Sequence, residues 1–465
     1  MASRVSCNPP TAQEQTEPAT ALLSAGLAGH HETMYQSNLM YKASTALPRS
    51  QVGSSLRAIT VLRDKSGAAV YTGSMKPTST AQGTKRIVYG QPSWRLTSAD
   101  VEAFVTEMGG QLGPVTFDRR VRKFQPYSVA PWAEEPVDRS LPPIIRALRG
   151  DFFCLPFGGN ARPFRGEKHP VHGETANARW QFESLETNDR RTCLHLSLQT
   201  KIRPGRVDKQ IWLVNRQNVI YSRHAVTGMR GHMNLGHHAM LKFPDLPDCA
   251  SVTTSHFVYG QVFPQAFELP EKRGYSCLKP GAEFRSLEKV PTLTGETADL
   301  TRYPARRGFE DLVMLVSEPE APFAWTAVAF PQERYVWFAL KDPRVLPETV
   351  FWISNGGRHY PPWNGRHINV MGLEEVCSYF HHGLAESVRP NPVSAKGFAT
   401  CVALNPRKPL VVSYLMGVAK IPVGFDRVIS IRASSNRRAI LLQSASGRYA
   451  HAPVHLDFLR SEPTW

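Results

Sequence analysis

Proline and glycine interrupt this chain too often for long helices. Its 465 residues hold 37 prolines and 33 glycines. Proline inside a helix or a central strand removes a backbone donor, so a chain this rich in it favours short strands joined by turns. Short apolar runs recur at 193–198, 211–214, 219–221, 255–259, 312–316, 325–330, 335–340, 350–353, 410–415, 427–431 and 439–442, separated by Pro, Gly, Asn and Asp. Residues 98–106 alternate (Val101, Ala103, Val105), Gly109-Gly110 supplies a turn, and 112–117 resumes, which is a hairpin pattern. More than ten such runs with few convincing helices predict an all-β fold, an antiparallel sandwich or barrel rather than βαβ units.

The first 85 residues differ from the rest. They are rich in Thr, Ser, Ala, Gln and Gly, with one strand-like piece at 57–62, and are expected to form a largely disordered leader. Met34 and Met75 are alternative starts within it. Residues 86–465 show no fixed repeat and no internal boundary, and are expected to form a single large β domain.

Basic residues exceed acidic ones by 16, which favours anionic partners. The excess is scattered in pairs such as Arg119-Arg120, Arg190-Arg191 and Arg437-Arg438, with no five-residue basic block. That distribution argues against a nucleic-acid groove and fits a soluble protein or one with an anionic small substrate. Seven cysteines without a CxxC or a pairing pattern read as free thiols of a reducing compartment. No run approaches the ~20 apolar residues of a membrane span, and the start lacks a signal core. A cytoplasmic protein without membrane partners is the expectation.

Three stretches concentrate chemistry. The last, 351–375, runs from Phe351-Trp352-Ile353 through Asn355-Gly356-Gly357 and the loop Pro361-Pro362-Trp363-Asn364-Gly365. It ends on a second apolar run closed by Glu374 and Glu375. This reads as strand, polar-aromatic loop, strand, with a carboxylate at the second strand's end. A solvated edge charge is the plain alternative for a lone Glu. The earliest, 158–180, has a Gly-rich loop with Asn160, Arg162 and Arg165, then His169 and His172-Gly173 and later Trp180. Surface histidines on a flexible loop would look the same. Between them lies Asn234-Leu235-Gly236-His237-His238, with His232 upstream. In a strand His237 and His238 point to opposite faces, so one can enter a cleft while the other packs in the core. A metal site would need three or four converging ligands, and no such spacing is present. No GxSxG, Walker or GxGxxG motif stands in a credible setting.

In their order along the chain these stretches resemble the aldose 1-epimerase (galactose mutarotase-like) superfamily. The resemblance rests on Gly159-Asn160-Ala161-Arg162, His172-Gly173 with Trp180, Asn234 through His238, Gly372-Leu373-Glu374, and the closing segment Ile421-Pro422-Val423-Gly424-Phe425. Met240-Leu241 stand where the family has Tyr-Phe, and Glu375 where its glutamate is followed by proline. What the resemblance implies is a large antiparallel β supersandwich that interconverts sugar anomers without metal, nucleotide or other cofactor. Glu374 would be the base and His238 the acid, its proton retained beside the carboxylate. His172 and Arg162 would hold sugar oxygens, with His237 counted among the substrate-binding residues. From residue type alone, Trp363 offers a flat face for a sugar and Asn364 a hydrogen bond. The basic balance adds a phosphorylated sugar as an expected substrate class, with Arg162, Arg165, Arg358 or Arg366 on the phosphate. Three rival readings remain: a carbohydrate-binding protein without turnover, polysaccharide elimination, and a nucleic-acid-binding β protein.

Overall fold

Two antiparallel sheets face each other across the main core, and the computed structural model describes residues 83–460. The expected leader, with its strand-like piece at 57–62, lies outside the described residues up to residue 82. The first strand, Lys85–Val88, begins one residue before the expected boundary. One sheet has nine strands, running in space from Arg302–Tyr303 through Tyr335–Lys341 and Leu410–Lys420 to Gln181–Thr187. The other has seven, in the order Glu283–Phe284, Phe257–Val262, Phe309–Ser317, Glu348–Asn355, Val370–Cys377, Leu235–Lys242 and Phe153–Cys154. All strand pairings are antiparallel, as the turn-rich sequence requires. The fold is all-β, the large antiparallel supersandwich that the resemblance implies.

Both faces of each large sheet are covered. Leu235, Ala239, Leu241, Phe351, Ile353, Met371 and Leu373 of the seven-stranded sheet point into the main core. Their alternate neighbours Met240, Leu312, Met314, Val350, Trp352, Val370 and Val376 build a separate core under the long loops. The outer face of the nine-stranded sheet is capped by the three-stranded sheet of Val428–Ala433, Ala439–Ser444 and Tyr449–Pro453. Two-sided burial explains why Val370–Cys377 reads as nearly continuous apolar sequence rather than alternating. It also corrects an expectation: Glu374 sits inside this strand, not at its end, and is fully buried.

The expected hairpin at 98–117 is present as Glu102–Thr106 paired with Leu112–Thr116. Cys154, Cys193, Cys249, Cys377 and Cys401 are free thiols. No helix among the described residues is long and apolar enough to cross a membrane.

Candidate active site

Register brings the two expected reactive groups together. His238 lies directly opposite Glu374 in neighbouring strands, both on the outer face of the seven-stranded sheet. The His238 Nε2 is 3.1 Å from Glu374 Oε1, with both side chains almost wholly buried. That contact has ion-pair distance without hydrogen-bond geometry, and neither carboxylate oxygen of Glu374 has a hydrogen-bond partner among the described residues. Buried carboxylate oxygens left unpaired are costly and rare in structural roles. Gly372, two residues back on the same face, makes room for the group: a Cβ there would lie 2.7 Å from Glu374 Oε1 and 3.0 Å from the Trp352 Cβ.

His172 arrives from the Gly-rich loop. Its backbone adopts a φ of 58° and its N–H donates to the Gly158 carbonyl at 2.7 Å. The following Gly173, at φ 75°, is obligatory, because a Cβ there would fall 2.0 Å from the Leu155 carbonyl oxygen. The His172 ring meets the His238 ring edge-on at 5.0 Å, and Phe152 stacks on His238 at 4.6 Å. The Gly158 N–H points at His172 Nδ1 (3.3 Å), which assigns the proton to Nε2. That Nε2 faces the Nε2 of His381 at 3.1 Å, so His172 donates and His381 accepts.

In the sequence His381 is half of a histidine doublet with His382, with no motif around it. The context is tertiary. Gly159 N–H donates to the His381 carbonyl at 2.7 Å, Asn160 N–H to the His382 carbonyl at 3.1 Å, and Leu384 N–H to Asn160 Oδ1 at 3.0 Å. These bonds zip the loop after the glutamate strand onto the Gly-rich loop. Asn160 thereby holds the loops together and does not point at the reactive pair.

A second wall comes from the preceding strand and loop. Trp352 Nε1 donates to Glu310 Oε1 at 2.7 Å, and Arg358 Nε to Glu268 Oε1 at 2.6 Å. The Arg358 guanidinium lies 4.6 Å from the Trp363 ring centroid and 5.3 Å from that of Trp352. Trp363 is therefore buried against Arg358 and edge-on to Trp132 at 4.8 Å. It is a wall of the outer core, not the open platform its residue type suggested.

Burial dominates the protonation of the cluster. It raises the Glu374 carboxyl well above the usual range, opposed by the positive Arg358. It lowers His238 to about 3, reinforced by His381, and lowers His172 and His381 in the same direction. Glu310 is pushed up to about 7 by burial, against the pull of Arg358. Burial thus favours the neutral form of each member of the pair. Against the expectation that the carboxylate keeps His238 charged stands the desolvation of both partners, which disfavours the charged form of each.

The remaining expected residues fall elsewhere. His237 is fully buried on the opposite face, 2.9 Å from Asp151 Oδ2 and tilted against the Tyr414 ring at 4.4 Å. Strand alternation excludes it from the cluster. Arg162 is largely exposed, 3.6 Å from Glu386, and its charge reaches only the rim, where it lowers His382. Asn364 is exposed in a left-handed turn position. Arg366 forms a bidentate pair with Glu135 at 2.6 and 2.9 Å, and Arg358 is engaged by Glu268, so neither is a free phosphate ligand. Glu375 faces the main core, where it pairs with Lys341 at 2.5 Å and accepts from Thr326 and Thr349. Among the described residues no group of three or more His, Cys, Asp or Glu side chains is arranged to hold a metal ion.

Neither a protein-family model nor a curated protein matches the chain. Solved structures do. A galactose mutarotase-like protein from Clostridium acetobutylicum matches at 8% identity and a TM-score of 0.48, over 72% of this chain and 98% of that one. A galactose mutarotase related enzyme from Lactobacillus acidophilus matches at 11% identity and a TM-score of 0.45, over 70% and 97%. The chain is thus similar, distantly, to galactose mutarotase-like proteins.

Proposed function

We propose that the protein is an aldose 1-epimerase-type isomerase acting on a small sugar. The observation that carries this reading is the Glu374 carboxyl: buried, unpartnered, given space by Gly372 and facing His238 Nε2 at 3.1 Å. Opening a sugar ring requires one group to take the anomeric hydroxyl proton and another to protonate the ring oxygen, each contributing ~10²–10⁴-fold. The Glu374–His238 pair holds one proton to give and one lone pair to receive it.

In the free protonation state Glu374 donates to the ring oxygen while His238 accepts the proton of the anomeric hydroxyl. The C–O ring bond breaks and the open-chain aldehyde forms. After rotation about the C1–C2 bond the hydroxyl left at the former ring position adds back to the carbonyl. The carboxylate recovers its proton, and His238 returns the other to the anomeric oxygen. This exchanges the roles that the resemblance implies, with the same proton count. His172, whose Nε2–H is donated to His381, walls the pair on one side, and a sugar oxygen would receive that proton only by taking the place of His381. With Arg358, Arg366 and Arg162 each beside a carboxylate, the exposed Arg165 is the candidate that remains for the phosphate of a phosphorylated sugar.

The test is anomer equilibration of freshly dissolved α-aldoses, neutral and phosphorylated, followed by NMR for wild type, Glu374→Gln and His238→Asn. Acceleration by wild type with loss in both variants, folded by circular dichroism, is expected. Wild-type rates in both variants would overturn the assignment. Saturable sugar binding without any acceleration would leave a carbohydrate-binding protein on the same scaffold.

A further inference from the structure

A cavity of about 700 Å³ lies at one end of the sandwich, lined by Lys242, the last residue of the strand that carries His238. Its floor is the open end of the main core: Phe124 and Phe330 flank Tyr335 at 4.6 and 4.7 Å, and Phe243 adjoins Phe330 at 5.3 Å. Its rim carries Arg122, Lys123 and Lys242. No carboxylate of the described residues pairs with any of these three. Burial lowers the Lys242 ammonium from its ordinary value. The one acid on the lining is Glu333, whose Oε2 is buried without a hydrogen-bond partner. A second cavity of about 490 Å³ shares Gln125 and Lys242 with it, so Lys242 stands between two chambers.

We propose that this cavity binds an organic phosphate joined to a flat ring, the shared chemistry of aryl phosphates and nucleotides. Three unpaired cations from two segments call for an oxyanion of more than one charge, and Arg122 matches a phosphate face through two N–H groups. The aromatic floor takes a planar apolar body, and a cavity of this size suits a drug-sized ligand. The free Glu333 oxygen accepts one hydrogen bond from a ring N–H or O–H. The site is separate from the Glu374 cluster, four residues or roughly 13 Å along the strand from His238.

The experiment is titration calorimetry at constant physiological salt with 1-naphthyl phosphate and adenosine monophosphate, beside inorganic phosphate and 1-naphthol. Expected is binding of at least one ring phosphate, with phosphate and naphthol alone weaker by about tenfold or more. Lys242→Gln and the double variant Arg122→Gln/Lys123→Gln each weaken it by about tenfold. The exposed double variant Arg407→Gln/Lys408→Gln, with the same change in net charge, leaves it unchanged, as does Glu374→Gln. Tighter binding of the adenosine compound supports the site and assigns Glu333 to the base. No binding at millimolar ligand, naphthol binding as tightly as its phosphate, equal loss in the Arg407/Lys408 control, or loss in Glu374→Gln would each overturn the proposal.

Discussion

Gly372→Ala is the most economical way to ask whether the space beside Glu374 exists for chemistry. The added Cβ would lie 2.7 Å from Glu374 Oε1, 3.0 Å from the Trp352 Cβ and 3.3 Å from its Cε3. To regain an ordinary contact of about 3.4 Å the carboxyl oxygen must retreat by roughly 0.7 Å, since it is the movable end and the tryptophan is held by its bond to Glu310. Overpacking of this kind costs about 1–3 kcal/mol, and loss of glycine's unfolded-state freedom returns about 0.4–1 kcal/mol. The expected loss of stability is therefore about 1–2 kcal/mol, tolerable in a core this size. Activity should suffer far more, because a displacement approaching 1 Å at a reacting group costs on the order of 10²-fold. Anomer equilibration and urea unfolding of the same preparation separate the two effects. A variant with a wild-type rate would refute the idea that Gly372 positions the carboxyl. A variant that fails to fold would show that the strand, not the site, requires glycine.

His238, lowered to about 3, should add no inflection to the pH–rate profile between mildly acidic and neutral pH, and the rate should fall as pH rises through the Glu374 value, which burial sets above the ordinary carboxylate range. A fall near pH ~6.5, the ordinary histidine range, would restore the histidine-acid assignment. Stability should drop in acid. His172, His224, His238, His367, His381 and His382 all have lowered folded values. Their contribution is complete above the unfolded value of ~6.5 and is lost as pH falls toward the folded ones, by up to about 1.4 kcal/mol per group per pH unit. The raised carboxyls of Glu310, Asp311, Glu348 and Glu374 work the other way but are fewer. Equal urea midpoints at pH 7 and pH 5 would contradict this balance. Lys341→Met should cost about 3–5 kcal/mol by stranding Glu375 in the core, whereas Lys341→Met/Glu375→Leu should cost less, the remainder coming from the Thr326 and Thr349 hydroxyls left without Glu375. Thermal unfolding of the two variants distinguishes them.

The strand-rich fold was legible because its cause is local. Turn residues at short intervals and β-branched runs between them leave a backbone few options other than antiparallel pairing. The same locality made Glu374, His238 and His172 visible as motifs, and strand alternation foretold that only one of His237 and His238 could enter a cleft. Which one did, and what surrounded it, was another matter. Trp363 looked like a sugar platform and proved to be a buried wall. Arg358 and Arg366 looked available for phosphate and are engaged by Glu268 and Glu135. His381 had no context until two loops some 220 residues apart were zipped together by Gly159, Asn160 and Leu384.

The sequence by itself determined the all-β class and the hairpin at its start, because period and turn chemistry act over a few neighbouring residues. Only the tertiary structure decided which protonation form burial favours at Glu374 and His238, the partner of His172 and which cations stay unpaired. Those depend on desolvation and on contacts between segments far apart in the chain, where burial outweighs the charge of any single neighbour.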